Sequence, residues 1–200
     1  MKSVYRPIKR VADVLIGLVA VVLTAPIVAV CAVAVKLDSR GPVIFKQMRA
    51  GLDGKEFEIY KLRTMVVGAE SMGAGLAVDE GDSRITRIGG FLRRWSLDEL
   101  PNLWNVVSGE MSLVGPRPTI PLQVADYTER QRIRLSVRPG ITGWAQVSGR
   151  SSLPWAERIE LDIWYIEHLT PLLDLKIILA TVRMVFTGSG LYRGESGGWR

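Results

Sequence analysis

The sequence predicts an α+β protein, mainly helical, with an N-terminal membrane-inserted helix, a short β-hairpin and amphipathic helices packed at the membrane surface. Three observations carry this. An uncharged run of about 22 residues, Val14 to Val35, is interrupted only by Pro26. Two strand-like stretches, "GPVIFKQMRAG" and "KEFEIYKLRTM", flank the turn-forming "GLDGK". Several later segments carry apolar residues at helical spacing. The expected division is 1–36 membrane-inserted helix, 37–187 folded domain and 188–200 flexible tail.

The N-terminal run would make roughly 33 Å of helix, enough to cross a bilayer. It exceeds the apolar core of a cleaved signal peptide, about 7–15 residues. Lys2, Arg6, Lys9 and Arg10 precede it, and Lys36, Arg40, Lys46 and Arg49 follow. Basic residues at both ends place both on the cytoplasmic side, which one straight span does not satisfy. Pro26 removes a helical hydrogen bond near the middle, and Thr24 is available to a freed carbonyl. A straight span and a helix that enters and returns both remain open from the residues alone.

After the hairpin, "VGAESMGAGLAVDEGDSRITRIGG" reads as loop with one helical turn. A helix is expected from Ser96 to Ser108-Gly109, with Leu97, Leu100, Leu103, Trp104 and Val107 on its apolar face. Another should cover Pro121 to Leu135. "RPGITGWAQVSGR" reads as a glycine-punctuated loop. Helices follow at Trp155–His168 and Leu172–Phe186. Their stripes (Trp155, Ile159, Ile163, Ile166; then Leu172, Leu175, Ile178, Leu179, Val182, Val185) are expected in the core, with membrane contact the alternative.

Composition narrows the chemistry. The net charge of +6 favours an anionic partner. A single cysteine, Cys31, and a single histidine, His168, provide neither a disulfide nor a Cys/His zinc site. His168 near a helix C-terminus suits the helix dipole, and no nucleophile elbow accompanies it. Walker A and dinucleotide fingerprints are missing. No nucleic acid partner is expected, because the basic residues are dispersed and form no known binding motif.

One stretch, "RRWSLDELPNLWNVVSGEMSLVGPRP", concentrates the candidates. Ser96 and Glu99 have capping-box spacing, so Asp98-Glu99 can be read as ordinary helix-start chemistry. The same aspartate can be a nucleophile toward phosphorus if arginines or a divalent metal neutralise the phosphate. Arg93, Arg94, Arg117, Arg138 and Arg150 are available. Arg117 lies between two prolines, which presents its guanidinium with little entropy loss.

Together with "RPGITGWAQVSGR" and "DIWYIEHLTPLLDLKII", this stretch resembles the bacterial sugar transferase family, the monotopic polyprenyl-phosphate phosphoglycosyl transferases. The likeness runs from "KRVADVLIGLVAVVLTAPI" onward and matches the family's minimal form. The resemblance implies transfer of sugar-1-phosphate from a UDP-sugar to polyprenyl (undecaprenyl) phosphate, with UMP released and Mg2+ required. It makes Asp98 the nucleophile and a metal ligand, and Glu99 its partner. It places Arg93, Arg117 and Arg150 at the substrate; Lys61, Arg63 and Arg138 complete the expected binding set. It puts the protein at the bacterial inner (cytoplasmic) membrane, with the catalytic domain facing the cytoplasm. The family's membrane helix re-enters at a Ser-Pro pair; here the pair is Ala25-Pro26. The rivals are direct glycosyl transfer with UDP released, and a non-catalytic membrane-anchored scaffold. The assembly state, a homo-oligomer included, is left open.

Overall fold

The computed structural model describes residues 2–72, 78–79 and 81–187; the expected tail, 188–200, lies outside them. Helix α1 runs from Lys2 to Asp38. Among the described residues it is the one helix long and apolar enough to cross a membrane. Its two arms dock on the same body. In the first arm Tyr5 Oη and Lys9 Nζ each donate to Asp174 Oδ2 at 2.7 Å. Buried Asp13 accepts from Ser112 Oγ at 2.7 Å and from the Leu113 amide at 3.2 Å. In the second arm Cys31 and Val35 pack with Leu62 and Leu92. Between the arms Val22, Leu23 and Val30 are exposed, each by 70% or more.

The break expected at Pro26 is not an interruption, because the helix continues through it. Pro26 has no N–H and frees the Val22 carbonyl. Thr24 does not serve that carbonyl: its hydroxyl donates to Ala20 O at 2.7 Å, a back-bond of the kind that bends helices.

Strands β1 (Ile44–Ala50) and β2 (Glu56–Leu62) form the expected antiparallel hairpin, with Ile44 opposite Leu62 and Ala50 opposite Glu56. The outer edge of β2 pairs with side chains where a third strand could lie. Asn102 Oδ1 accepts from the Tyr60 amide at 3.1 Å, and Asn105 Nδ2 donates to Glu58 O at 2.7 Å. Both asparagines are buried. They anchor the segment carrying Asp98 and Glu99 against the strand carrying Lys61.

Helix α2 (Arg87–Arg94) begins inside the glycine-rich stretch read as loop. Gly89 obscured it in the sequence, since glycine disfavours helix. Here the glycine answers a close approach: a Cβ would stand 2.0 Å from Thr64 O. Replacing Gly89 with alanine is expected to destabilise the protein by roughly 1–3 kcal/mol or more despite the better helix former, read as a lower Tm.

The expected helix from Ser96 is divided. A 3-10 helix, Leu97–Asn102, precedes α3 (Leu103–Ser108), which ends on left-handed Gly109. Pro101 obstructs the α-helical bond pattern there. Leu103 and Val106 are buried, whereas Trp104, expected inward, is 57% exposed.

The Pro121–Leu135 helix is also divided. It becomes α4 (Pro121–Ala125), α5 (Glu129–Arg132) and a 3-10 turn, because Thr128 starts a new helix through a capping box with Gln131.

Part of "RPGITGWAQVSGR" is regular structure: β4 (Gly140–Thr142) pairs parallel with β3 (Ser112–Val114), and α6 spans Trp144–Val147. Its glycines permit contact, since a Cβ on Gly140 would stand 2.1 Å from Gly115 N.

Helix α7 (Trp155–Glu167) and helix α8 (Pro171–Thr187) close the fold. Ile159, Ile163 and Ile166 of α7 are buried, as expected. The α8 stripe is not core. Leu172, Leu175, Leu179 and Val182 are exposed, and Leu173, Ile177 and Met184 face inward instead. An exposed apolar stripe on a protein with an exposed apolar helix fits a lipid surface better than water. His168 caps α7 and stacks on Trp164.

Candidate active site

The carboxylate pair sits on the 3-10 helix Leu97–Asn102. Ser96 precedes it in the left-handed region (φ 54°), and its side chain makes no cap bond, so the expected capping box is not formed. Glu99 is held by cations: Lys61 Nζ lies 2.8 Å and Arg117 Nη2 3.1 Å from its Oε1. Lys61 comes from β2 and Arg117 from the turn after β3, so one carboxylate ties three segments together. Burial lowers the Lys61 pKa from its ordinary value, with the Glu99 charge opposing.

Asp98 differs. It is buried, only 8% exposed, yet accepts no hydrogen bond and forms no ion pair within bonding distance among the described residues. Burial first and the neighbouring Glu99 second raise its pKa; Lys61, Arg93 and Arg117 pull the other way. A carboxylate so placed retains its lone pairs for an incoming electrophile or cation.

Asp98 and Glu99 open into a cavity of about 420 Å3. Arg93, Arg117 and Lys61 line it together with them. Arg93 Nη1 lies 3.4 Å from Thr64 Oγ1. Arg117 is half exposed and reaches in from the Gly115–Pro118 turn. That turn is pinned on both sides: Gly140 N donates to Pro116 O at 2.8 Å, and Arg49 Nη1 donates to Pro118 O at 3.1 Å.

Two expected binding residues have other work. Arg63 reaches the cavity wall, but its guanidinium donates to Ser39 O at 2.8 Å and to Arg40 O, clamping the chain just beyond α1. Arg138 is not among the cavity-lining residues; its Nε donates to Gly109 O at 2.7 Å and secures the end of α3. Peptide carbonyls past a helix end are natural guanidinium acceptors. Arg150 lies in a 3-10 turn, Arg150–Ser152; its side chain is outside the described residues.

Sequence reading missed Arg49, Arg134, Arg158 and Gln146, which all line the cavity. Burial, and then the charge of Arg117, lower the Arg49 pKa to about 10. Arg134 is buried and bonds Asp162 Oδ2 through Nη2 at 2.7 Å and Nε at 2.9 Å. It also donates to Thr119 Oγ1 at 2.9 Å and to Tyr127 Oη. The spacing Trp155, Arg158, Asp162 on α7 was the available signal, because i, i+3 and i, i+4 residues share a helical face.

A buried, unpaired carboxylate in an arginine-rich cavity, on a body bearing an apolar helix, defines an anion-handling domain of membrane-associated type. The chain belongs to the bacterial sugar transferase family, whose model matches residues 4–188. It is 44% identical over 184 residues to the uncharacterized sugar transferase EpsL of Bacillus subtilis, covering 92% of this chain and 90% of that one. It is 40% identical over 200 residues to the UDP-glucose:undecaprenyl-phosphate glucose-1-phosphate transferase of Escherichia coli, covering 96% and 43%. It is also 41% identical over 194 residues to the UDP-N-acetylgalactosamine-undecaprenyl-phosphate N-acetylgalactosaminephosphotransferase of Aeromonas hydrophila, covering 94% and 45%. The chain thus spans most of EpsL and less than half of the other two.

Proposed function

We propose that this chain moves a sugar-1-phosphate from a UDP-sugar to polyprenyl phosphate, through a covalent intermediate on Asp98, and thereby initiates assembly of a membrane-bound glycan. The observation that carries the reading is the contrast within the dyad: Glu99 is occupied by Lys61 and Arg117, whereas buried Asp98 is left unbonded facing the cavity. The names of the relatives supply the donor and acceptor classes.

In the first step an Asp98 carboxylate oxygen bonds to the phosphorus that carries the sugar. The bond from that phosphorus to the bridging oxygen breaks, and UMP leaves with the electron pair. In the second step a phosphate oxygen of the polyprenyl phosphate attacks the same phosphorus. The acyl-phosphate bond breaks, Asp98 returns as carboxylate, and the polyprenyl diphospho-sugar is released. Arg93 and Arg117 neutralise the phosphoryl oxygens, and Glu99 holds Arg117 and Lys61 at the required distance.

The donor set suits Mg2+. Among the described residues no cluster of three or more metal-ligating side chains is found, so an all-protein cage is not offered. Mg2+ commonly takes one or two carboxylates plus substrate phosphates and water, and unbonded Asp98 is such a ligand. When bound there it supplies charge neutralisation for the diphosphate.

The two docked arms of α1 support a helix that enters the bilayer and returns to the same face. A straight span would carry Tyr5 and Val35 to opposite sides, whereas each packs on the same folded body. The basic residues at both ends favour the cytoplasmic face of the bacterial inner membrane. Labelling of single cysteines at the two termini should proceed from the same side only; labelling from opposite sides would exclude this topology.

The reaction is tested by measuring nucleotide release from a panel of UDP-sugars with polyprenyl phosphate. UMP is the expected product, and UDP would overturn the scheme. Chelation with EDTA should abolish release, and added Mg2+ should restore it.

A further inference from the structure

The phosphate chemistry leaves one part of the cavity wall unused: the part built by α6 and α7. Gln146 lies there, only 6% exposed, and neither its Oε1 nor its Nε2 has a hydrogen-bond partner among the described residues. Both atoms are themselves buried. A buried amide without partners carries the full desolvation cost of its polar atoms, so such a group is normally satisfied by something. Its surroundings are built. A Cβ on Gly143 would stand 2.7 Å from Gln146 Oε1, so the glycine makes room for the amide. Arg134 holds Asp162 by Oδ2, and buried Asp162 Oδ1 is likewise without a hydrogen bond. The ring of Trp155 lies beneath the guanidinium groups of Arg134 and Arg158, with centroid distances of 5.1 and 5.3 Å.

Resting on the nucleotide-sugar reading of the cavity, we propose that Gln146 is a specificity-determining residue that binds a neutral group of the donor displaying an adjacent hydrogen-bond donor and acceptor. An uncharged carboxamide has no advantage over the nearby arginines in holding phosphate. It offers one acceptor and two donors in a plane, which match such an edge. Two parts of a UDP-sugar present that chemistry: the imide edge of the pyrimidine base and the vicinal hydroxyls of the sugar. Asp162 Oδ1 is a further buried acceptor on the same cavity wall.

The test is equilibrium binding by the full-length protein in lipid nanodiscs, on an Asp98→Asn background that prevents turnover. The probes are UMP, pyrophosphate, and a panel of UDP-glucose, UDP-galactose, UDP-N-acetylglucosamine and UDP-N-acetylgalactosamine. Gln146→Leu is expected to weaken the cognate UDP-sugar about tenfold, to leave pyrophosphate unchanged, and to keep or raise Tm. Equal weakening of UMP assigns the contact to the base; unchanged UMP assigns it to the sugar. Unchanged affinity for UMP and every UDP-sugar would overturn the proposal, as would an equal loss for pyrophosphate. Gln146→Met provides the same test should the leucine variant fold poorly. Binding does not require turnover, so a wild-type protein that releases no UMP would sink the proposed reaction while leaving this result readable.

Discussion

Replacing Asp98 with asparagine is expected to lower UMP release by at least roughly 10^3-fold, the largest functional effect of any single change here. In the proposed scheme asparagine keeps the shape but removes the anionic nucleophile, so no acyl phosphate can form. The same change should raise Tm, because it takes a charge out of a buried position. The sign follows from the shift. Burial and Glu99 raise the Asp98 pKa, so the folded state binds its proton more tightly than the unfolded chain does. Its contribution therefore opposes stability increasingly as pH rises from the unfolded carboxylate value, about 3.9, through the folded one. Activity runs the other way, since attack needs the ionised form. The acidic limb of kcat/KM should lie above the ordinary aspartate value. A variant that is hotter to melt and inactive separates loss of chemistry from loss of fold. An Asp98→Asn protein with normal UMP release would refute the nucleophile assignment.

The largest structural effect is expected at Arg134. Changing it to methionine leaves Asp162, whose side chain is 2% exposed, without its guanidinium partner. Breaking a buried pair by removing one side costs about 3–5 kcal/mol. Thr119 and Tyr127 lose a donor in the same step. Because burial already raises the Asp162 pKa against the pull of Arg134, removing the arginine should raise it further. The variant should then gain stability relative to wild type as pH falls toward the raised carboxylate pKa, where Asp162 takes up a proton. Thermal melts of both proteins across acidic pH would measure this. A deficit that does not change with pH would assign the loss to packing on Trp155 and not to the stranded charge. Changing Arg134 and Asp162 together to apolar residues should recover much of the loss.

Much of this architecture was legible where one physical signal dominated. The uncharged run gave α1, the turn residues gave the hairpin, and the isoleucines of α7 gave its buried face. The carboxylates and Arg117 were legible because unusual neighbours surrounded them. The errors have a common origin in contacts between distant segments. Gly89 and Gly140 read as loop residues, whereas each lets backbone approach backbone. Arg63 and Arg138 read as substrate-binding residues, and the reading did not anticipate that their guanidinium groups also bond peptide carbonyls of remote segments. Arg134 and Gln146 have no local signature, since their environment comes from folding α6 and α7 against the turn after β3. The α8 stripe has the right period, but periodicity does not distinguish lipid from protein interior as the apolar phase.

The bond from the first turns of α1 to α8 also bears on how the protein is made. Tyr5 and Lys9 are separated in sequence from Asp174 by 169 and 165 residues. At about 5–20 residues per second, synthesis of that interval takes roughly 8–33 s. Throughout it the apolar helix must be held, and the lipid bilayer is the available holder. The latch closes only when α8 emerges, so a helix far along the chain completes the seat of α1. A ribosome stalled before Asp174 would leave the helix in the membrane with its amino-terminal arm undocked. Seating of α1 on the folded body therefore waits for α8, however early the helix itself is formed.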